Sequence, residues 1–190
     1  MVTFVDSGSR YQVSGMNKAV ATAPNTNAVF STPGIYQLQL AAVNSNGGTN
    51  RTLAVTVLSN QEAWRQIHFN TIADAGNAAN SADPDSDGLN NLLEFATGTL
   101  PAIPDASIVS LTRSADTIDF TYRRSHAAAA DGVEFVVEWS NSLSNGWSPG
   151  DVTQSPVPDS DNGVSTLWKA TLPAGADQRF VRLKTTSATR

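Results

Sequence analysis

Pro33-Gly-Ile-Tyr-Gln-Leu-Gln-Leu-Ala-Ala-Val43 alternates apolar and polar side chains after a turn dipeptide, and Arg51-Thr-Leu-Ala-Val-Thr-Val-Leu58 does so again. A period of two puts Tyr36, Leu38, Leu40 and Ala42 on one face of a strand and Gln37 and Gln39 on the other. Leu53, Val55 and Val57 share a face in the same way. Ser45-Asn-Gly-Gly48 between them tolerates positive φ, so the spacing predicts a β-hairpin. Working outward, short runs at 10–14, 18–22 and 27–31 read as strands. Further on, 107–112, 117–124, 133–140, 164–171 and 179–185 do the same, and Val133, Phe135, Val137 and Trp139 alternate with Glu134, Val136 and Glu138. The chain is therefore expected to be mainly β. Two small antiparallel β-sandwich modules are predicted, over 1–58 and 104–190, joined by a helix–loop–helix segment over 59–103.

Composition sets the outer limits. With 190 residues, 40% apolar and 15% charged, the chain reads as globular, with one or two cores. No run approaches the roughly 20 apolar residues needed to span a bilayer, so no membrane span is predicted. The absence of cysteine excludes disulfides, thiolate metal ligands and a thiol nucleophile. The net charge of −5 offers no basic footprint for nucleic acid. Between Arg65 and Arg113 there is no Lys or Arg, while Asp74, Asp83, Asp85, Asp87, Glu94 and Asp105 carry −6, so the rest of the chain sums to +1.

Around that acidic stretch the period changes. Ser59 followed by Glu62 is a capping box, and Ala63, Trp64, Ile67 and Thr71 fall at helical spacing. Leu89, Leu92, Leu93 and Ala96 mark a second helix, which Gly98 is placed to stop. Between the two, Asp83-Pro-Asp-Ser-Asp-Gly-Leu-Asn-Asn-Leu-Leu-Glu94 fits the twelve-position calcium loop, with acids at 1, 3 and 5, Gly at 6, Asn at 9 and Glu at 12. Calcium takes six to eight oxygens at about 2.3–2.6 Å, and alternate residues in a tight loop aim their carboxylates at one centre. The predicted ligands are Asp83, Asp85, Asp87, the carbonyl of Leu89, Asn91 directly or through water, and Glu94 as a bidentate closing ligand. The cofactor expected is Ca2+.

The loop resembles the thrombospondin type 3 and dockerin class, which implies the same six ligands. It departs from that class in ending Gly98-Thr-Leu-Pro101, without the usual acid, and no second loop follows. Asn90 stands where paired sensor loops carry a bridging apolar residue, so a structural rather than a switching role is expected, with the cation stiffening the segment between the β-modules. Residues 30–38, 44–47 and 53–57 resemble the last two strands of Ig-like modules of the polycystic-kidney-disease type, found in tandem on bacterial secreted proteins. Sandwiches of that class need about seven strands and roughly 100 residues. The module is accordingly expected to be partial and the chain to be the tail of a longer protein. Phe120-Thr-Tyr-Arg-Arg124, Val136-Val-Glu-Trp-Ser140, Trp147 and Arg179-Phe-Val-Arg-Leu183 resemble a C-terminal, fibronectin-like module of large bacterial surface and polysaccharide-active proteins. Together these resemblances imply an extracellular or cell-surface location, although Met1-Val-Thr-Phe-Val-Asp6 lacks the features of a secretory signal.

No common catalytic motif is present. His68 and His126 are read as surface or core-edge residues, and Glu134 with Glu138 is the carboxylate pair to compare with the about 5–9.5 Å a glycosidase needs. The leading expectation is a non-catalytic, monomeric calcium-binding module serving spacing, attachment or presentation within a parent protein. The alternative is a carbohydrate-binding accessory module acting on polysaccharide or cell envelope through Trp147, Trp168 and Tyr122. Exposed aromatics in a line would favour that alternative, and a buried set the structural reading.

Overall fold

The computed structural model describes residues 2–3, 12–13, 20–21, 28–30, 32–44, 47–105, 107–144, 146–175 and 178–187. They fall into two compact units, Met1–Ser59 and Asn60–Arg190. The protein is mainly β, built from several antiparallel sheets.

In the first unit, β1 (Val2–Thr3) pairs with β3 (Val20–Ala21), and β2 (Gln12–Val13) pairs with β4 (Ala28–Val29). β2, β3 and β4 are the described cores of the strands predicted over 10–14, 18–22 and 27–31, whose flanks lie largely outside the described residues, whereas β1 was not predicted. β5 (Gly34–Asn44) and β6 (Gly47–Val57) then pair antiparallel from Gly34↔Val57 to Asn44↔Gly47, as the hairpin pattern requires. The predicted turn residues Ser45 and Asn46 are outside the described residues. Tyr36 is buried, lies 4.6 Å from the Phe30 ring, and donates its hydroxyl to the Thr32 carbonyl at 2.7 Å. Gln37, on the opposite face, is exposed.

The second unit opens with α1 (Asn60–Phe69), a 3-10 turn (Gly76–Ala78) and α2 (Asn91–Thr97). It continues through β7 (Val109–Arg113), β8 (Thr117–Ser125), α3 (His126–Ala130), β9 (Glu134–Ser140), β10 (Thr153–Pro156), β11 (Ser165–Pro173) and β12 (Phe180–Thr186). One antiparallel sheet runs β10-β11-β8-β7 and a second pairs β12 with β9. Alternation decides what they bury: Ile118, Phe120 and Tyr122 of β8 face inward, as do Phe135 and Val137 of β9. Phe120, Tyr122, Phe135, Val137 and Ala170 belong to one core, with the Tyr122 and Phe135 rings stacked 6.3 Å apart, so the two sheets pack in a sandwich-like manner.

The helices belong to this core. α2 lies against β8, β12 and α3, and places Phe95 and Ala96 among the buried sheet residues. Trp64 of α1 packs on the same cluster, 5.9 Å from the Phe95 ring. The separate joining segment expected over 59–103 is thus replaced by an integral layer of the second unit, because its apolar side chains find their burial on the sandwich.

Like β1 and the 3-10 turn, α3 and β10 were not anticipated. α3 spans His126–Ala130, with the Ser125 hydroxyl accepting from the Ala128 N–H at 3.3 Å and Gly132 at positive φ just beyond. Four alanines between a Ser cap and a Gly are good helix formers. β10 lacks alternation and contains Pro156, which its place at the sheet edge permits.

The start of α1 is held from a distance. Asp131 accepts from the backbone N–H of Asn60 at 3.2 Å and of Gln61 at 2.8 Å, and from the Asn60 side-chain amide at 2.8 Å. A carboxylate there satisfies the free N–H groups of the first turn and complements the helix dipole. Asp131→Ala is expected to cost about 1–2 kcal/mol of stability, the size of a lost cap. Urea denaturation of wild type and variant in the same calcium buffer measures the difference.

Candidate metal centre

The loop between the 3-10 turn and α2 is positioned by polar contacts on both sides. Arg65, buried in α1, donates to the Ala78 carbonyl at 3.2 Å and to Asn80 Oδ1 at 2.7 Å, and pairs with Asp74 at 3.4 Å. Asn80 also accepts from Gln61 at 2.8 Å, donates its N–H to Asp74 at 2.6 Å, and reaches Ser187 Oγ at 3.2 Å. Asn91 opens α2 with its N–H on the Ala82 carbonyl at 2.8 Å. Its side-chain nitrogen donates to the Asn77 and Ala79 carbonyls, both at 2.7 Å. Those two acceptors fix the amide orientation, leaving Oδ1 as the free acceptor of a residue only 1% exposed.

The structure brings the three loop aspartates together. One carboxylate oxygen of each shapes the backbone: Asp83 accepts from the Gly88 N–H at 3.0 Å, Asp85 from Asp87 at 3.3 Å, and Asp87 from Leu89 at 2.8 Å. Gly88 turns at φ 93°, a conformation that side chains resist. Asp83, Asp85 and Asp87 each present an oxygen within 4.8 Å of the others. Asp83 Oδ1 and Asp85 Oδ2 are buried without a hydrogen-bond partner.

Glu94 completes the arrangement from α2. It is 0% exposed, and neither carboxylate oxygen has a partner. Burial first, then the charges of Asp85, Asp87, Asp105 and Asp83, push its pKa up to about 7. Desolvation also raises Asp85, with the charges of Asp87 and Asp83 adding to the effect. Of the predicted apolar stripe, Ala96 is buried and Leu92 and Leu93 are half-buried, while Asn91, Glu94 and Phe95, outside that stripe, are buried as well. The helix turns its acid inward beside its aromatic residue.

Among the described residues, seven buried side-chain polar atoms lack a partner, and six of them are Asp83 Oδ1, Asp85 Oδ2, Asn91 Oδ1, both Glu94 oxygens and Asp105 Oδ2. All six are acceptors. Each unpaired buried acceptor costs about 1–3 kcal/mol, more if charged, a cost that protonation or a bound cation would relieve. A hard cation fits an all-oxygen donor set, which carries no imidazole or sulfur to favour a transition metal. Of the six predicted ligand residues, Asp83, Asp85 and Asp87 come together as a trio, and Asn91 and Glu94 are buried with unpaired oxygens. For Leu89, whose carbonyl is the sixth, the contact seen is its N–H on Asp87. Asp105, which lies beyond the loop motif and was not among the predicted ligands, donates its N–H to Asp87 Oδ2 at 2.7 Å.

The other sequence candidates are otherwise engaged. Glu138 is buried and bound by Arg182 at 2.6 and 2.9 Å, whereas Glu134 is exposed. Four residues along a strand separate them by about 13 Å, too far for a glycosidase pair. His126 is exposed, 3.0 Å from Thr166 Oγ1. His68 packs 4.9 Å from the Trp64 ring, and burial lowers its pKa. Tyr122 is fully buried, and its hydroxyl meets Gln154 and Arg124. Arg124 covers a face of Trp168 at 3.6 Å and Arg182 a face of Trp147 at 4.1 Å.

A scan against protein-family models, a search of curated proteins and a search of solved structures each find no match for this chain.

The Glu94 pKa has a testable sign. In chelator the folded protein keeps the Glu94 proton up to about pH 7, whereas the unfolded chain loses it near 4.5. The folded state then binds more protons, so this contribution to stability is fully present below about 4.5 and is lost as pH rises through 7. Melts in chelator should fall across that window, and Glu94→Gln should flatten the decline. An equal slope in the two proteins would overturn the assignment.

Proposed function

We propose that residues 83–94 bind one calcium ion through Asp83, Asp85, Asp87, the Leu89 carbonyl, Asn91 and Glu94, and that the protein is a non-catalytic, calcium-stabilised structural module. The observation that carries this reading is Glu94, wholly buried with both oxygens unpaired beside the aspartate trio. A cage of flexible carboxylates and amide oxygens suits calcium better than magnesium, which keeps its waters and demands a tight octahedron.

The ion's contribution would be positive charge at the one place where the second unit concentrates negative charge in its interior. The chain's own residues transmit the result. Asn91 and Glu94 fix the start of α2, Phe95 and Ala96 of the same helix sit in the sandwich core, and Asn80 and Arg65 connect that helix to α1. Calcium therefore stiffens the second unit from within, a refinement of the stiffened joining segment expected from sequence. Modules that bind calcium weakly work where it is plentiful, outside cells. That agrees with the surface and secreted modules the sequence resembles, and spacing, attachment or presentation of a larger extracellular protein is the proposed role. Burial of Tyr122 and the arginines stacked on Trp147 and Trp168 weigh against the sugar-stacking alternative.

Thermal melts in millimolar calcium, set against chelator with magnesium, test the proposal. Calcium at 100 times its dissociation constant adds about 2.7 kcal/mol, a rise of roughly 5–11 °C for a chain of this size. Asp85→Ala and Glu94→Ala should each abolish the rise. No rise in the wild type, together with no heat of binding on titration, would overturn the proposal.

A further inference from the structure

We propose that Asp105 is a direct ligand of the ion held by residues 83–94, so that one cation joins the loop to the chain entering β7. This rests on the reading of that loop as a calcium site. Asp105 lies eleven positions beyond Glu94, outside the twelve-residue motif. Its return has a simple geometric basis. α2 has seven residues, about 10 Å of helix. Gly98, at φ 81°, ends it with its N–H on the Glu94 carbonyl at 2.7 Å. A turn closed by the Ile103 N–H on the Leu100 carbonyl, with Pro101 buried, then reverses the path. The following residues lead back toward the start of the helix.

Three observations place Asp105 at the site. Its N–H donates to Asp87 Oδ2 at 2.7 Å, so its backbone touches a loop carboxylate directly. Its own Oδ2 is buried and has no partner, like the free oxygens of Asp83, Asp85 and Glu94. Its charge acts on Glu94 more strongly than that of Asp83, which belongs to the loop itself. An ion pair would be the ordinary reason for a carboxylate here, and the cation that lines the adjoining groove with Asp105 is Arg123. Arg123 directs Nη1 instead to Ser160 and Ser165, at 3.3–3.4 Å. Five carboxylates, Asn91 and one backbone carbonyl stay within the six to eight oxygens calcium accepts, some through a single oxygen.

The consequence is topological. The loop motif alone would fasten only the two ends of a local turn, whereas Asp105 fastens the segment that leads into the four-stranded sheet through β7. The sandwich and the ion site then share a covalent path four residues long, from Asp105 to Val109.

Calorimetric titration of the intact chain with calcium chloride tests this on wild type, Asp105→Asn, Asp105→Ala and Asp85→Ala. Luminescence lifetimes of bound terbium in light and heavy water count the waters on the metal in each protein. Asp105→Asn keeps the backbone bond to Asp87 and is expected to weaken calcium binding at least about tenfold, since even outer-shell changes commonly cost 10–100-fold. Asp105→Ala should add one water to bound terbium without lowering the melting temperature in chelator. Unchanged affinity in Asp105→Asn with an unchanged water count would overturn the role of Asp105 and leave the loop site standing. A merely structural Asp105 would lower melting equally in calcium and in chelator, which also overturns it. Failure of the wild type to bind calcium would overturn the loop reading and this one together.

Discussion

A carboxylate with no access to water and no hydrogen-bond donor is the constraint on which the second unit depends. Glu94 occupies that position, one residue before Phe95, whose ring is in the sandwich core. The helix cannot turn Glu94 outward without also withdrawing Phe95 and Ala96, because neighbours on a short helix move together. The unit must therefore neutralise Glu94 where it stands. A proton does so up to about pH 7, and the proposed calcium ion would do so above it. The surrounding aspartates tilt that competition, since their charges both disfavour a bare Glu94 carboxylate and attract a divalent ion.

The polar wiring behind the loop serves the same end. Asn80 takes hydrogen bonds from Gln61 and Arg65, gives its N–H to Asp74, and lends its carbonyl to the Leu92 N–H at 3.1 Å. Asn77 and Ala79, on the same turn, hold the amide of Asn91. These residues orient the inner acceptors before any ion arrives, as outer partners do around metal sites generally. Asp83 and Asp85 each give one oxygen to a backbone N–H and leave the other unpaired, whereas Asp87 accepts backbone N–H groups on both, from Leu89 and Asp105. Such preorganisation limits the entropy that ion binding must offset.

Much of this was legible in the order of residues. Strand positions followed from alternation because one buried face per strand imposes a period of two, and β5, β6, β8, β9, β11 and β12 all lie where that period placed them. The acidic loop was legible for a related reason: its spacing is a local rule, complete within twelve residues. Where local rules compete, the sequence misleads. Leu89, Leu92, Leu93 and Ala96 looked like the apolar stripe at α2, and Ala96 is buried, yet Asn91, Glu94 and Phe95 are buried beside it while the leucines are only half-buried. An all-apolar reading has no way to value an acid that a cation would accompany.

What the sequence by itself determined is everything with a short range: the strands, the β5–β6 pairing, the calcium-type loop and the glycine that ends α2. What only the tertiary structure decided are the partnerships across distance, including Asp131 over the start of α1, Asn80 as a junction, Arg124 against Trp168, and the return of Asp105 to the loop. The reason is physical. Period and turn chemistry act between neighbours and leave a pattern in composition, whereas the meeting of a carboxylate with an amide 70 residues away depends on how faces pack, and packing writes no periodic signal.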